Sequence, residues 1–192
     1  MHLSQPTPSG NDPRLAPVEP RHAAQFCFVL LTISCALASF ALACATPFAA
    51  FAVIAAAMLP LRSALLVVTG AWLVNQGIGF GALHYPIDVA TMLWGFVIGL
   101  AALAATMVST CILQAMPRAG TPLALALALL RSYAIYEVVL LAATSFLGGG
   151  DSFTAAIVGR IGLTNAAWMI GLVGACKMVR LIKPFKHGQA AS

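Results

Sequence analysis

Long runs of apolar residues, separated by short breaks that contain proline, glycine, histidine or arginine, dominate the chain. The segments between the breaks are about 24–45, 48–59, 63–83, 88–115, 122–147 and 153–180. The runs are continuous and do not alternate with polar residues, so they predict helices and not the strands of a barrel. Because a helix needs roughly 20 residues to cross the hydrocarbon, the second segment is short for a span. It is predicted to be tilted, broken or partly re-entrant.

Composition supports a membrane protein, since 61% of the 192 residues are hydrophobic and only 8% are charged. A soluble domain of this length has too little interior to hide that much apolar surface. The predicted fold class is therefore an all-α membrane protein, with a single bundle of six transmembrane helices over residues 23–182. Residues 1–22 are rich in proline and polar residues and predict a disordered tail, and residues 183–192 predict a basic tail.

The basic residues indicate how the helices are oriented. Arg14 and Arg21 precede the first segment, and further basic residues follow the second, fourth and sixth segments. The other three breaks contain no Lys or Arg. Because cytoplasmic loops are enriched in Lys and Arg, both termini are predicted to be cytoplasmic and those three breaks to face outward. The basic residues form no patch, so the net charge of +5 does not indicate binding to nucleic acid.

Ionisable residues within the spans are the main candidates for function, because a charge at the centre of a span costs about 2.5–3.5 kcal/mol. Glu137 and Arg160 fall roughly 15 and 10 Å below the outer ends of the fifth and sixth segments, so we expect them to pair. Arg131 lies about 9 Å deeper than Glu137 and is the poorer partner. The pair either locks two helices together or lines a cavity, and the sequence leaves both interpretations open.

Amides and aromatic residues accompany this pair at similar depth. On the third segment they follow the spacing of one helix face, and on the fifth and sixth they are three or four residues apart. Such groups, together with glycines that admit close approach, are typical of a site for a polar organic ligand, here reached from outside. The candidate ligand-binding residues are Trp72, Asn75, Gln76, Gly79, His84, Tyr85, Tyr133, Tyr136, Glu137, Arg160, Asn165 and Trp168.

Glycines are expected to serve close approach at several places. In the stretch 75–86, Gly77, Gly79 and Gly81 are predicted to admit a bulky ligand or a neighbouring helix. The small-residue spacings are predicted to let helices pack closely or to let the bundle dock on a partner. They are Ala41/Ala45, Ala52/Ala56, Gly95/Gly99 and Gly171/Gly174.

Other chemistry is not indicated by the sequence. It contains no nucleotide-binding or hydrolase motif, so an enzyme is not expected and no cofactor is predicted. The five cysteines are scattered through apolar runs without a CxxC pair, which favours small buried hydrophobic side chains over a disulfide framework or a zinc site.

One part of the chain resembles a known family. The block LPLRSALLVVTGAWLVNQGIGFGALHYP, with TPFAAFAVIAAAMLP before it and WGFVIGLAALAAT after it, is similar to the solitary cobalamin transporters of proteobacteria. These are related to the substrate-binding S-components of energy-coupling factor (ECF) transporters. The resemblance covers about residues 40–110 well and the remainder only in pattern.

The resemblance implies uptake of cobalamin or a related corrinoid across the bacterial inner membrane, with the corrinoid as the transported ligand and membrane lipid as the surroundings. In other S-components an alanine-rich first helix docks an ECF-type coupling and ATPase module. Ala41 and Ala45 are the corresponding candidates here.

The chain departs from the family pattern at the cobalt ligand. The family implies a cysteine thiolate near the outer end of the third helix, but this chain has no cysteine between Cys44 and Cys111. His84 lies in that neighbourhood and is the candidate cobalt ligand, since cobalt accepts imidazole nitrogen. An imidazole is not an equivalent reductant, which puts thiolate-based decyanation in doubt. Two alternatives stay open: a transporter for another vitamin or metal chelate, and a non-transporting membrane assembly or structural protein.

Overall fold

The computed structural model describes residues 14–15, 17–42, 46–150 and 153–182, and this part of the chain is all helical, without a strand. The helices are α1 (Pro20–Leu42), α2 (Phe48–Met58), α3 (Leu61–Gly81), α4 (Val89–Ala115), α5 (Thr121–Leu147) and α6 (Ala155–Ile182). Five of them, all except α2, are long and apolar enough to cross a membrane. The predicted multi-pass α-helical membrane protein is confirmed at this level.

α2 differs from the spanning helix that a six-span bundle requires. It has 11 residues, so it is about 16 Å long and shorter than the hydrocarbon core. All of its residues except Ala56 are buried, and it is apolar on every side. A helix of this kind buries its apolar surface against other helices of the protein and not against lipid.

The other five helices surround α2, which contacts every one of them. α1 packs on α3, α3 on α4, and α4 extensively on α5, whereas α6 packs mainly on α2 and touches α5 only lightly. The run of alanines in α2 keeps its side chains small, and small side chains let several helices approach one backbone. The core is therefore centred on α2.

Local signals explain where the helices begin and end. Asp88 precedes α4, and its carboxylate accepts a hydrogen bond from the Thr91 N–H at 2.8 Å, which satisfies one of the unpaired donors of the first turn. Pro60 precedes α3 with an extended backbone. α5 ends at Gly148, whose φ of 78° lies in the left-handed region that favours glycine.

The N-terminal segment packs on one end of the bundle. The Arg14 guanidinium donates hydrogen bonds to the backbone carbonyls of Leu113 and Ala119, both at 3.1 Å. Leu15 is only 7% exposed, and its N–H donates to the carbonyl of Ala57 at 3.1 Å. Residues 14–15, the end of α2 and the α4–α5 connection thus lie together, at what we name the inner end; the opposite end is the outer end.

This grouping agrees with the loop alternation predicted from the basic residues, while the side of the membrane that each end faces stays a prediction. Of the predicted tails, residues 1–13 and 183–192 lie outside the described residues. α1 begins at Pro20, before the boundary predicted at residue 23.

Candidate functional site

Asn75 is bound to two hydroxyl groups near the start of α2. Its Nδ2 donates to Ser39 Oγ at 2.9 Å and to Thr46 Oγ1 at 3.0 Å. Since Asn75 lies six residues before the end of α3 at Gly81, this contact is about 9 Å below the outer end of α3. Thr46, just before α2, therefore lies at the depth of Asn75 and of Ser39 near the end of α1.

Asn165 holds the first turn of α2 from the opposite direction. Its Oδ1 accepts the Ala50 N–H at 3.0 Å, its Nδ2 donates to the Ile161 carbonyl at 3.0 Å, and the side chain is only 2% exposed. Helix α2 begins after Pro47 without a side-chain cap of its own, and the N–H groups of a first turn have no partner within the helix. Asn165 supplies that cap from α6.

The start of α2 thus lies well below the surface of the outer end. Asn165 is ten residues after Ala155, which places the cap roughly 15 Å below the outer end of α6. Close packing is also concentrated toward the inner end, because α5 has no buried residue after Tyr136 and α6 has none before Asn165. The first turn of α2 therefore lies at the depth where the outer parts of α5 and α6, which contain no buried residue, begin.

Trp72 and Gln76 pack on α4. The Trp72 indole donates from Nε1 to the Gly95 carbonyl at 2.9 Å. A Cβ on Gly99 would lie 2.7 Å from the Trp72 ring, and a Cβ on Gly95 would lie 2.6 Å from Gln76 Oε1. The predicted use of the Gly95/Gly99 spacing for close packing is confirmed.

Close packing within the chain is not found at Gly171 and Gly174, because a Cβ at either position meets no atom of the described residues within 4 Å. The alternative use of this spacing, docking on a partner, stays a prediction.

At the outer end of α3 the chain turns back, so that Tyr85 packs on Gly79. His84 adopts a left-handed φ of 54°, and the Tyr85 N–H then donates to the Gly79 carbonyl at 3.0 Å. The Tyr85 ring covers Gly79, where a Cβ would lie 2.8 Å from ring atoms. Gly79 thus admits a side chain of this chain, whereas Gly77 and Gly81 face open space. His84 itself is exposed.

The aromatic residues of α5 and α6 make interhelical contacts. The Tyr133 hydroxyl donates to the Val158 carbonyl at 2.5 Å and joins α5 to the outer half of α6. Tyr136 is buried. Trp168 packs edge-on against Phe51 of α2, with ring centroids 6.4 Å apart. Each of these predicted ligand-binding residues therefore also has a place in the packing of the bundle.

The predicted Glu137–Arg160 ion pair is wrong. Among the described residues the structure holds an ion pair only between Arg21 and Glu19, and Arg160 is exposed. The reason is that α6 packs mainly on α2 and not on α5, so matching depth does not bring the two side chains together. Glu137 Oε1 is nevertheless buried and has no hydrogen-bond partner in the part of the chain that the structure describes.

Arg131 is a second unusual charge. It lies ten residues after the start of α5 at Thr121, about 15 Å from the inner end of the helix and close to its middle. The side chain is exposed and makes no hydrogen bond or ion pair with any described residue. A cation facing lipid near the centre of a span is costly, by about 2.5–3.5 kcal/mol on insertion scales.

Sequence reasoning missed several hydroxyl groups that join helices. Ser39 and Thr46 bind Asn75, and Ser109 of α4 lies 2.6 Å from Ser132 of α5, oxygen to oxygen, with both side chains fully buried. Serine and threonine inside apolar runs form hydrogen bonds between helices in membranes, so the positions of these residues in the sequence could have indicated such contacts. Arg14 was counted only for orientation, and no pattern indicated its contacts.

The candidate residues form two groups and not one cluster. Trp72, Asn75 and Gln76 lie on α3, which contacts α1, α2 and α4, whereas Glu137 and Asn165 lie on α5 and α6 beyond α2. Helices pack at about 8–10 Å between axes, so α3 and α6, each packed on α2, are at most about 16–20 Å apart. The two groups of candidate residues therefore lie on different helices that both contact α2.

No family model, curated protein or solved structure matches the chain.

Proposed function

We propose that this chain binds cobalamin or a related corrinoid in the outer half of the bundle and takes it up across the bacterial inner membrane, in the manner of an ECF-transporter S-component. The observation that carries the proposal is the short α2, whose first turn is held roughly 9–15 Å below the outer end by Asn75 and Asn165. The helix that fills the bundle at the inner end is missing from the outer half.

The separation of the two groups is compatible with a bulky ligand. A molecule that touches both α3 and α6 above α2 bridges up to about 16–20 Å between helix axes, less the side chains, and a wide macrocycle is large enough to do so. Glu137 Oε1 is buried without a hydrogen-bond partner among the described residues, so a ligand reaches it only when the helices around it move apart. On the α3 side, the Gln76 amide packs on Gly95 of α4 and donates to Asn75 Oδ1 at 3.5 Å.

His84 is the proposed axial ligand to cobalt. It is exposed at the outer end of α3, and the left-handed backbone at this residue fixes the turn that carries it. The proposed docking face for a coupling and ATPase module is on α1, where Ala41 is exposed; Ala45 lies outside the described residues.

A second candidate function is membrane assembly without transport. The amides favour it, because Asn75 and Asn165 already bind groups of this chain, as expected for amides that only fasten helices. Glu137 Oε1 is one of two buried side-chain oxygens without a partner among the described residues, and fastening of helices alone does not account for it.

The test is the absorbance spectrum of detergent-purified protein after incubation with cobalamin and gel filtration. Wild type is expected to retain corrinoid with a shifted band. Glu137→Gln is expected to retain less, and His84→Ala to lose the shift. His22→Ala is the matched control, because His22 is exposed at the opposite end of the bundle.

Three outcomes are informative. Absence of corrinoid from the wild-type peak overturns the proposal and favours the assembly function. Retention with the same shift in His84→Ala keeps the binding site and removes His84 as the cobalt ligand. Equal loss in His22→Ala shows that retention is not specific to the outer end.

A further inference from the structure

Arg131 lies on a face of α5 that no part of the described chain covers. Leu130 and Val138, its neighbours on this face, are 62% and 57% exposed, and Ala134 one turn away is exposed as well. The opposite face of α5 is packed on α4 and α2. We name the exposed set Leu130, Arg131, Ala134 and Val138 the α5 face.

Depth prevents Arg131 from reaching water along its own helix. α5 has 27 residues and is about 40 Å long, so a hydrocarbon core of about 30 Å centred on it begins about 5 Å inside each end. Arg131 then lies about 10 Å inside the hydrocarbon, which is farther than an extended arginine side chain reaches. Long basic side chains relieve such a position by snorkelling only when they are near a helix end. The charge of Arg131 therefore needs a partner at its own depth.

A second copy of this chain does not supply the partner. Glu137 is the only acidic residue within a span, and its Oε1 is buried inside its own chain. Glu19 and Asp88 precede α1 and α4 and lie outside the spans. A carboxylate for Arg131 must then come from a different protein.

We propose that the α5 face docks a transmembrane helix of another protein, which carries a carboxylate near the middle of its span. Guanidinium and carboxylate groups form charge-assisted, bidentate hydrogen bonds, and such a pair removes the cost of both charges in the hydrocarbon at once. Ala134 lets a partner backbone approach beside Arg131. The proposal does not depend on the identity of the transported ligand.

The experiment measures energy transfer in phosphatidylcholine vesicles at pH 8 between the full chain, labelled at an added C-terminal tag, and a labelled single-span peptide of leucine and alanine. The peptide carries one glutamate at its centre or, as its control, leucine there. Wild type is expected to bind the glutamate peptide about three- to thirtyfold more tightly, the range of interhelical polar pairs in membranes. Arg131→Leu is expected to bind both peptides equally, and Arg131→Lys to keep part of the preference.

Arg62→Leu is the matched control, because Arg62 is exposed in the first turn of α3 at the inner end. It is expected to keep the preference of wild type. Equal binding of both peptides by wild type overturns the proposal without any variant that has to fold. Energy transfer between two copies of the chain that Arg131→Leu abolishes also overturns it, since the occupant is then a second copy. Corrinoid retention is independent of both results.

Discussion

Replacing Asn165 with leucine removes the cap that α6 provides to α2 while keeping a side chain of similar size. The Ala50 N–H, bound to Asn165 Oδ1 at 3.0 Å, is left without that acceptor in a fully buried turn. An orphaned buried donor costs about 1–3 kcal/mol, and interhelical hydrogen bonds in membranes average about 0.6 kcal/mol with a maximum near 1.7. The cost of the orphaned donor is the larger of the two, because the buried first turn of α2 contacts neither lipid nor water that could supply another acceptor. We therefore expect the free energy of unfolding to fall by about 2 kcal/mol.

The assay is thermal unfolding in detergent, followed by loss of the monomer peak on gel filtration. A loss of about 2 kcal/mol corresponds to a midpoint roughly 4–8 °C lower for a chain of this size. Thr164→Val is the control on the same helix, because the Thr164 hydroxyl donates only to the Arg160 carbonyl of its own helix, at 3.0 Å. Asn165→Leu and Thr164→Val variants with the same midpoint would refute the view that Asn165 holds α2.

Three further outcomes are expected. Gly99→Ala places a Cβ 2.7 Å from the Trp72 ring, so overpacking of about 1–3 kcal/mol outweighs the usual gain in helix propensity and lowers the unfolding midpoint. Arg14→Ala removes hydrogen bonds to the α4–α5 connection and is expected to raise amide hydrogen exchange there. The hydrogen bond from Thr91 holds the pKa of Asp88 below its ordinary value of 3.8. The stabilisation that Asp88 contributes is therefore present above that value and is lost as the pH falls through the lower pKa of the folded state. Asp88→Asn is expected to abolish this pH dependence in acid unfolding.

Controls for these outcomes come from the same chain. Gly171→Ala adds a methyl group to open space and is expected to leave the midpoint unchanged or raise it. Arg21→Ala removes only an exposed ion pair with Glu19 and is expected to leave exchange in the α4–α5 connection as in wild type. A midpoint for Gly99→Ala equal to that of Gly171→Ala contradicts the account of the α3–α4 contact. Identical acid unfolding of wild type and Asp88→Asn contradicts the account of the α4 cap.

The helices were predictable because lipid imposes long apolar runs and because breaks such as Pro60 and Gly148 stop them. The shortness of the second segment was visible too. Its central position was not, because a helix that is apolar on every side gives no preferred face from which neighbours are deduced.

The depth of the candidate residues along their helices was predictable from the sequence, but the contacts that they make were not. Asn75 and Asn165 lie well below the outer end, as the helical rise predicts, but their partners are hydroxyl and backbone groups far away in the sequence. The expected Glu137–Arg160 pair failed for the same reason. Depth along two helices is a property of each helix alone, whereas pairing depends on which faces meet, and α6 turns toward α2.

Enclosure of α2 also makes the depth of its first turn independent of the thickness of the bilayer. Lipid-facing helices tilt or adjust when the hydrocarbon becomes thicker or thinner. α2 has no lipid contact to match, since its ends are fixed by side chains and backbone groups of its neighbours, Asn165 at one end and Leu15 at the other. Bilayer thickness therefore changes the tilt of the surrounding helices, while the first turn of α2 keeps its position within the protein.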